Sequence, residues 1–310
     1  MELNRRQFLR TIGGVSAAIA CSADNLVWAG AATTRASFDF VFFTDTHIQP
    51  ELDATHGCDM CFHKIAGLRS EFAIMGGDHV FDAMSVDASR AKLVFDLYQR
   101  TEQTLGMKLY NAIGNHDLFG INTKSGIAPS DPAYGKKLYQ DRIGKKTYYS
   151  FDHQGYHFFV LDSVQPTPDR QWEARIDDAQ LAWLAEDLKK TAPETPILGV
   201  THVPLVTTFS NYVPSNAPGS RYSTLSIANA PQILELLEQN HVLAVLQGHT
   251  HINEVVQYKG TQYITSGAVC GNWWRGPRLG VPEGFLVVSL GDGKIETRYE
   301  TYGFQSVPSS

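Results

Sequence analysis

The sequence predicts a layered α/β sandwich. Apolar, strand-like runs alternate with helical patterns along most of the chain, and hairpin patterns follow toward the carboxyl terminus. Most of the early runs end in short polar pieces that contain Asp, Asn or His. Ligands of open α/β sheets bind beyond the carboxyl ends of the strands. We therefore expect these polar pieces to meet at one edge of the fold and to form a site.

The predicted strands are continuous apolar runs, as expected of strands that are buried on both faces. Two runs on either side of Gln154-Gly155 indicate a hairpin, and the last strands of the chain read as antiparallel. The predicted strands are residues 38–43, 72–75, 109–113, 148–151, 156–161, 197–200, 242–246, 254–258, 262–264, 284–290 and 294–299.

Helices are predicted between the strands. Residues 88–103 show apolar side chains at helical spacing. Asp177 and Gln180 form a capping box before a helix that ends near Pro193. Two further helices are predicted at 60–69 and 230–240. Three long polar stretches leave the carboxyl ends of strands and are expected to rim the site and set its specificity: 118–146, 164–176 and 206–226.

Residues 1–31 read as a targeting segment, and residues 32–310 as a single domain without repeats or linkers. Arg5 and Arg6 precede a short apolar stretch, which is followed by small residues suited to cleavage. This pattern resembles a twin-arginine export signal, and it predicts recognition by the Tat export machinery and a periplasmic or secreted protein. The apolar stretch is too short to span a bilayer. Cys21 matches a lipid attachment site poorly, so lipid anchoring is not expected.

The composition excludes some partners. The net charge is −6 and 43% of the residues are hydrophobic, which is ample for a packed core. No basic cluster indicates binding to nucleic acid, and no later segment is apolar enough for stable membrane insertion. Cys58, Cys61 and Cys270 leave three alternatives open: a disulfide, a structural zinc site with His56 and His63, or plain thiols.

The polar pieces contain residue types that bind metals. Each piece alone is a weak signal, but five of them occur in order after predicted strands. Imidazole, carboxylate and amide oxygen suit Mn, Fe or Zn, without any need for thiolate. The pieces are Asp45-Thr46-His47, Gly77-Asp78, Gly114-Asn115-His116-Asp117, Thr201-His202 and Gly248-His249-Thr250-His251.

This ordered set resembles the calcineurin-like metallophosphoesterase family, whose pattern is D-x-H, G-D, G-N-H-[DE], H and G-H-x-H. The match runs from Asp45 to His251. The strand spacing, the Gln-Leu-Ala-Trp-Leu helix and the segment 284–299 are similar to the cyclic-nucleotide phosphodiesterase branch. The resemblance implies an α/β/β/α sandwich of two mixed sheets flanked by helices.

The resemblance also implies roles for the site residues. A hydroxide bridging two divalent ions would attack a small-molecule phosphate ester, with phosphodiesters slightly favoured over monoesters. Metal coordination makes this feasible because it lowers the pKa of water from 15.7 to about 7. A non-catalytic, metal-binding exported protein is the alternative. Asp45, His47 and His251 would bind the first ion, Asn115, His202 and His249 the second, and Asp78 both.

His116 is not needed as a ligand and is expected to protonate the leaving oxygen or to stabilise the charged phosphoryl group. Asp117 and Asp82 are the candidates for orienting its ring. The alternative is a structural histidine that is bonded to Asp117. Phe81 stands where the purple acid phosphatase branch has tyrosine, so a tyrosinate-bound ferric ion is not expected.

A Trp-Trp-Arg segment follows the last ligand. Trp273, Trp274, Arg275 and Arg278 are either a cover for a base or sugar with a grip on phosphate, or a packed loop with solvated arginines.

Overall fold

The computed structural model describes residues 37–211, 213 and 222–306. The predicted export signal and Cys21 lie outside these residues. The helices are α1 Ala54–Ala66, α2 Ala88–Glu102, α3 Lys137–Arg142, α4 Asp178–Lys190 and α5 Ala230–Glu238. The strands are β1 Phe38–Phe43, β2 Ala73–Met75, β3 Leu109–Asn111, β4 Tyr149–His153, β5 Tyr156–Leu161, β6 Val164–Pro166, β7 Trp172–Ala174, β8 Ile197–Thr201, β9 Val242–Gln247, β10 Glu254–Tyr258, β11 Thr261–Thr265, β12 Gly284–Gly291 and β13 Lys294–Thr301.

Two mixed sheets carry the fold. The first has the order β13-β12-β1-β2-β3, with β1, β2 and β3 parallel and β12 and β13 antiparallel. The second has the order β10-β11-β9-β8-β5-β4, with four parallel strands in its centre and an antiparallel strand at each edge. Strands β6 and β7 form a separate ribbon.

Side chains along β1 point alternately to the two faces of the first sheet, which shows how the layers are built. Phe40 and Phe42 point into the apolar layer between the sheets, where they meet residues of the second sheet such as Phe158. Val41 and Phe43 point the other way, into the core that α1 and α2 cover. Burying each such side chain contributes about 1.5–3 kcal/mol. A core that includes residues of α4 and α5 covers the outer face of the second sheet, which confirms the predicted α/β/β/α order.

Several elements differ from the predictions. Helix α1 begins at Ala54 rather than near residue 60, because the chain enters it through Leu52 and Asp53 in left-handed conformation and Asp53 makes no side-chain cap. Strand β11 was expected to be antiparallel, and it pairs in this way with β10, but on its other side it pairs in parallel with β9. The stretches 118–146 and 164–176, expected to be loops, contain α3 and the β6–β7 ribbon.

The cysteines are free and buried. Burial raises the pKa of all three thiols, so they are neutral at physiological pH. Among the described residues, neither Cys58 nor Cys61 belongs to a group of side chains arranged for metal binding. These thiols therefore act as small core residues. No helix in the described part of the chain combines the length and the apolar character of a bilayer span.

Candidate metal centre

Five parallel strands end at one place between the two sheets. From the first sheet, β1, β2 and β3 lead into Asp45, Asp78 and Asn115. From the second, β8 and β9 lead into His202 and His249. All five side chains lie at the carboxyl edge of the parallel strands, which is the edge where the sequence predicted them.

The backbone at most of these positions is strained. Asp45, His47, Asp78, His249 and His251 have φ values of 56°, 39°, 57°, 71° and 59°. Non-glycine residues rarely adopt such values, and each case costs about 1–3 kcal/mol. Hydrogen bonds between neighbouring loops hold the geometry, among them the one from the Asp45 N–H to the Gly77 carbonyl at 2.9 Å. The strain places five ligand side chains at a common centre.

The first predicted ligand set is assembled. His251 Nε2 lies 3.2 Å from Asp45 Oδ1 and 3.2 Å from His47 Nε2. His47 Nε2 lies 3.7 Å from Asp45 Oδ1 and 3.5 Å from Asp78 Oδ2. Candidate ligand atoms from loops of both sheets thus lie close enough together to hold one cation.

The second set is assembled on the other side of Asp78. His202 Nε2 lies 3.2 Å from Asp78 Oδ2 and 3.2 Å from Asn115 Oδ1. Ligand atoms of Asp78, His202 and His249 lie within 4.8 Å of one another, and so do those of Asp78, His47 and His116. Asp78 is common to both groups, which is the position of a bridging ligand.

Backbone carbonyls fix the imidazole tautomers. The Nδ1–H groups of His202 and His251 donate to the carbonyls of Gly76 and Gly271 at 2.9 and 2.7 Å. Their Nε2 atoms therefore face the centre, as metal ligands require. These partners could not be predicted from the sequence, because any residue supplies a carbonyl.

His249 uses the opposite nitrogen. Its Nε2–H donates to the carbonyl of Thr224 at 2.8 Å, which leaves the Nδ1 lone pair as its ligand atom.

Asp45 shows most clearly that the residues fit a cation. Its Oδ2 accepts hydrogen bonds from Thr44 Oγ1 at 2.6 Å and from the His249 N–H at 2.9 Å. Its Oδ1 is buried and has no hydrogen-bond partner. A buried carboxylate oxygen without a donor is rare in a native fold. Since this oxygen lies 3.7 Å from His47 Nε2 and 3.2 Å from His251 Nε2, the residues fit a divalent ion.

The charges of the centre also suit metals. Burial alone would raise the pKa of Asp78, but His202 and His116 hold it well below the usual range. Burial would also raise the pKa of Asp45, but neighbouring groups, mainly His251, hold it well below the usual range. Burial opposes a charge on His202 too, but Asp78 and Asp45 raise its pKa to about 9. Two carboxylates are therefore charged at neutral pH.

His116 lies at the mouth of the centre. Its Nδ1–H donates to the carbonyl of Phe81, and its backbone N–H donates to Asp78 Oδ1 at 2.8 Å. The ring packs edge-on against His47, with 4.6 Å between the ring centroids. The Phe81 carbonyl therefore orients this imidazole, rather than either of the carboxylates that the sequence suggested, Asp117 and Asp82.

Asp117 lies behind the bridging residue, fully buried. It accepts hydrogen bonds from the backbone N–H groups of Gly114, Asp78 and His79 at 2.9, 3.2 and 2.9 Å. It also contacts His79 Nδ1 at 2.9 Å. Burial alone would lower the pKa of His79, but the neighbouring Asp117 raises it above the usual value. The structure thus places Asp117 where it holds the turn that carries Asp78, not beside the reacting groups.

The two tryptophans have different surroundings. Trp274 is buried, and its Nε1–H donates to the carbonyls of Thr46 and His47, both at 3.1 Å. Trp273 is partly exposed, and its ring centroid lies 4.8 Å from that of His251. The packed-loop alternative therefore describes Trp274, while Trp273 faces the centre.

Comparison with known proteins agrees with the motifs. The model of the calcineurin-like phosphoesterase family matches residues 38–253. The chain belongs to this family. This assignment agrees with the ligand set described above.

Relatives of this phosphoesterase include a cAMP/cGMP dual specificity phosphodiesterase of Mycobacterium tuberculosis. The two are 24% identical over 211 residues, which are 66% of this chain and 56% of that relative. The chain therefore spans little more than half of that protein.

Solved structures share the fold. A dimetal phosphatase from Danio rerio superposes with a TM-score of 0.58 at 15% identity, covering 86% of this chain and 99% of the other. GAP50, described as the anchor in the inner membrane complex of Plasmodium, superposes with a TM-score of 0.53 at 17% identity, covering 86% and 85%.

Proposed function

We propose that this chain is an exported phosphodiesterase that works with two divalent ions, Mn, Fe or Zn. The observation that carries the proposal is the position of Asp78, whose Oδ2 lies 3.5 Å from His47 Nε2 and 3.2 Å from His202 Nε2. One ion would be held by Asp45, His47 and His251, the other by Asn115, His202 and His249, and Asp78 would contact both.

The bound ions would supply Lewis-acid activation of water and neutralise the phosphoryl oxygens. The chain's own residues position the ligands and supply a proton. Backbone carbonyls hold the ligand imidazoles in place, and this preorganisation avoids reorganisation during the reaction. His116 keeps its Nδ1–H on the Phe81 carbonyl, so its Nε2 is the atom that carries a proton toward the leaving oxygen.

The preference for diesters is supported by two features. The related mycobacterial protein is named as a phosphodiesterase. In this chain a cleft of about 780 Å³ adjoins His116, and a diester needs room for a second organic group. A monoester would place only one organic group near the centre.

A substrate comparison tests the proposal. The purified protein is stripped with a chelator and reloaded with Mn, Fe or Zn, and its metal content is measured. Turnover of bis(4-nitrophenyl) phosphate is compared with that of 4-nitrophenyl phosphate. We expect two ions per chain and a higher kcat/KM for the diester. A higher value for the monoester would overturn the diester preference, and a single ion in the active protein would overturn the two-ion centre.

Two matched variants distinguish the loss of a metal ligand from a general effect of replacing Asp by Asn. Asp78→Asn should lower kcat/KM by more than about 100-fold, since loss of outer partners of a metal alone costs about 10–100-fold. Asp292→Asn makes the same chemical change at an exposed turn and should retain activity. Equal activity of Asp78→Asn and Asp292→Asn would contradict the proposed role of Asp78.

Export is tested in a bacterial host that makes the full chain. We expect mature protein in the periplasmic or secreted fraction, with an amino terminus near residue 32. Changing both Arg5 and Arg6 to Lys should retain the protein in the cytoplasm, because twin-arginine recognition depends on that pair. Uncleaved protein in the cytoplasm of the unmodified strain would overturn this part of the proposal.

A further inference from the structure

Strand β13 forms an open edge of the first sheet. In the order β13-β12-β1-β2-β3 it pairs on one side only, with β12. Backbone groups of an antiparallel strand point alternately to its two sides, so about half of the N–H and C=O groups of β13 point away from β12. Within residues 37–211, 213 and 222–306, no other segment forms a backbone hydrogen bond with this outer side. The edge can therefore accept a further strand.

This edge lacks several features that usually protect an exposed strand. Native sheets often end in a very short strand, a proline or a β-bulge. Strand β13 is eight residues long, contains no proline and pairs with β12 without a shift along its whole length. Its middle part, residues 296–298, is exposed. Charged side chains are a further form of protection, but the charges of β13 alternate in sign.

The charges of β13 lie on one face of the sheet, because every second residue of a strand shares a face. The charged residues are Lys294, Glu296, Arg298 and Glu300. This face is the outer one, since Glu300 Oε2 lies 3.7 Å from Lys64 Nζ of α1. Ile295 and Tyr299 alternate with the charges and pack against the apolar layer between the sheets.

These charges match those of an identical strand that runs in the opposite direction. An antiparallel pair of β13 strands with its two-fold axis at Thr297 places Lys294 of one copy opposite Glu300 of the other. In the same register, Glu296 of one copy lies opposite Arg298 of the other. The symmetry axis repeats both pairs, because a residue that meets another across a two-fold axis is met by it in return. Opposite charges in such cross-strand pairs stabilise a sheet.

Neighbouring registers bring like charges together. With the axis at Glu296, this residue meets its own copy, and Lys294 meets Arg298. With the axis at Arg298, this residue meets its own copy, and Glu296 meets Glu300. Like charges directly opposite one another are destabilising. An axis between two residues would place the charged face of one copy beside the inner face of the other. The register around Thr297 is therefore favoured.

We propose that two copies of this chain associate through β13, in an antiparallel pair centred on Thr297. The two five-stranded sheets then form one continuous sheet of ten strands. Main-chain hydrogen bonds of an added strand provide affinity, and its side chains provide specificity. Ile295 of each copy lies opposite Tyr299 of the other, and a β-branched residue beside an aromatic one stabilises a sheet further.

The interface is separate from both metal centres. In each copy the candidate ligands follow the carboxyl ends of the parallel strands. Because the strands of the second copy run in the opposite direction, its ligands lie at the opposite edge of the joined sheet. Changes on β13 therefore test association without touching a ligand.

Sedimentation equilibrium of the full-length protein tests the proposal, and we expect twice the mass of one chain. Glu296→Arg places two cations opposite each other, and Arg298→Glu places two carboxylates opposite each other. By symmetry each change makes two attractive pairs repulsive, so each should raise the dissociation constant at least about tenfold. An equimolar mixture of the two variants has opposite charges at both pairs again and should dimerise nearly as tightly as the wild type.

Lys189→Glu is the control for charge inversion. Its side chain lies on α4 and is 77% exposed, so the variant should dimerise as the wild type does. Circular dichroism verifies that each variant is folded, and one chain that carries both Glu296→Arg and Arg298→Glu should dimerise again. A monomeric wild type would overturn the proposal. So would a dimer that both single variants retain, or folded variants whose mixture stays monomeric.

Discussion

Asp117 shows how a residue that does not face the substrate determines the geometry of a ligand. Its carboxylate gathers backbone N–H groups on both sides of Asp78 and pairs with the buried His79. His79 Nε2 in turn contacts Asn111 Oδ1 at 3.0 Å. The turn that carries the bridging residue is thus fixed by a buried, hydrogen-bonded carboxylate–imidazole pair, which is costly to break from one side.

We predict that Asp117→Asn destabilises the fold and weakens the centre. The amide presents its own donors to N–H groups that need an acceptor, and it removes the partner of His79. Breaking a buried pair costs about 3–5 kcal/mol, so the free energy of unfolding from urea titration should fall by about that amount. Asp292→Asn is the control and should stay within about 0.5 kcal/mol of the wild type. A similar value for Asp117→Asn would contradict the role given to this carboxylate.

At this scale the sequence identified side chains but not their backbone partners. The side chains of the candidate ligands were predicted from their types, their order along the chain and the resemblance to the phosphoesterase family, all of which are visible in the sequence. The Phe81 carbonyl that orients His116 was missed, since a carbonyl has no sequence signature.

At the scale of elements, glycines let the loops after the strands approach one another. Gly248 follows β9, and a Cβ there would lie 2.3 Å from Thr44 Oγ1 and 2.8 Å from Asp45 Oδ2. Gly114, which precedes Asn115, is as crowded, because its Cβ would lie 2.1 Å from Asp78 Oδ1. Loops of the two sheets can therefore share one ligand cluster only if these positions lack side chains.

We predict that Gly248→Ala weakens metal binding. Its φ lies outside the left-handed region, so crowding alone is tested, and the added methyl must displace Asp45 or Thr44. Overpacking of this kind costs about 1–3 kcal/mol, so calorimetry should show an affinity for Mn²⁺ lowered about 5- to 150-fold.

Gly67→Ala is the matched control. This glycine ends α1 with a φ of −74°, and a Cβ there makes only ordinary contacts at 3.5 Å. The control should bind Mn²⁺ as the wild type does. Wild-type affinity in Gly248→Ala would show that the loops tolerate a wider spacing.

Element types were largely predictable, whereas their pairing was not. The run 38–43 became β1 with the expected bounds, because a fully buried strand has a continuous apolar sequence. The parallel pairing of β11 with β9 was missed, because a strand's apolar residues do not encode which neighbour it meets. The early start of α1 was missed, because a left-handed Asp53 replaces the usual side-chain cap.

At the scale of the whole molecule, the candidate centre joins the two sheets. The first ligand set takes Asp45 and His47 from the first sheet and His251 from the loop after β9 in the second. The second set takes Asn115 from the first sheet, and His202 and His249 from the second. Ions that bind only this arrangement stabilise the sandwich as a whole by mass action.

We predict that this stabilisation grows with pH. In the folded, metal-free protein, burial disfavours a charged His202, but Asp78 and Asp45 raise its pKa to about 9. A metal must displace that proton, so apparent affinity should rise about tenfold for each pH unit up to about 9. The proton's own stabilisation of the metal-free fold has the opposite sign. It is complete below the unfolded pKa of about 6.5 and is lost as pH rises through 9.

Thermal melts with and without excess Mn²⁺ at pH 6.5, 7.5 and 8.5 measure the difference. The Mn²⁺-dependent rise in Tm should increase at each step by several degrees, since tenfold in affinity is about 1.4 kcal/mol and each kcal/mol shifts the Tm of a chain of this size by about 2–4 °C. Glutamine cannot titrate. The His202→Gln protein should therefore show a smaller Mn²⁺-dependent rise in Tm, without the pH dependence that His202 causes in the wild type. The same rise at all three pH values in the wild type would mean that no proton is displaced. His202 would then be neutral before the metal arrives, and its pairing with Asp78 would not hold the metal-free centre together.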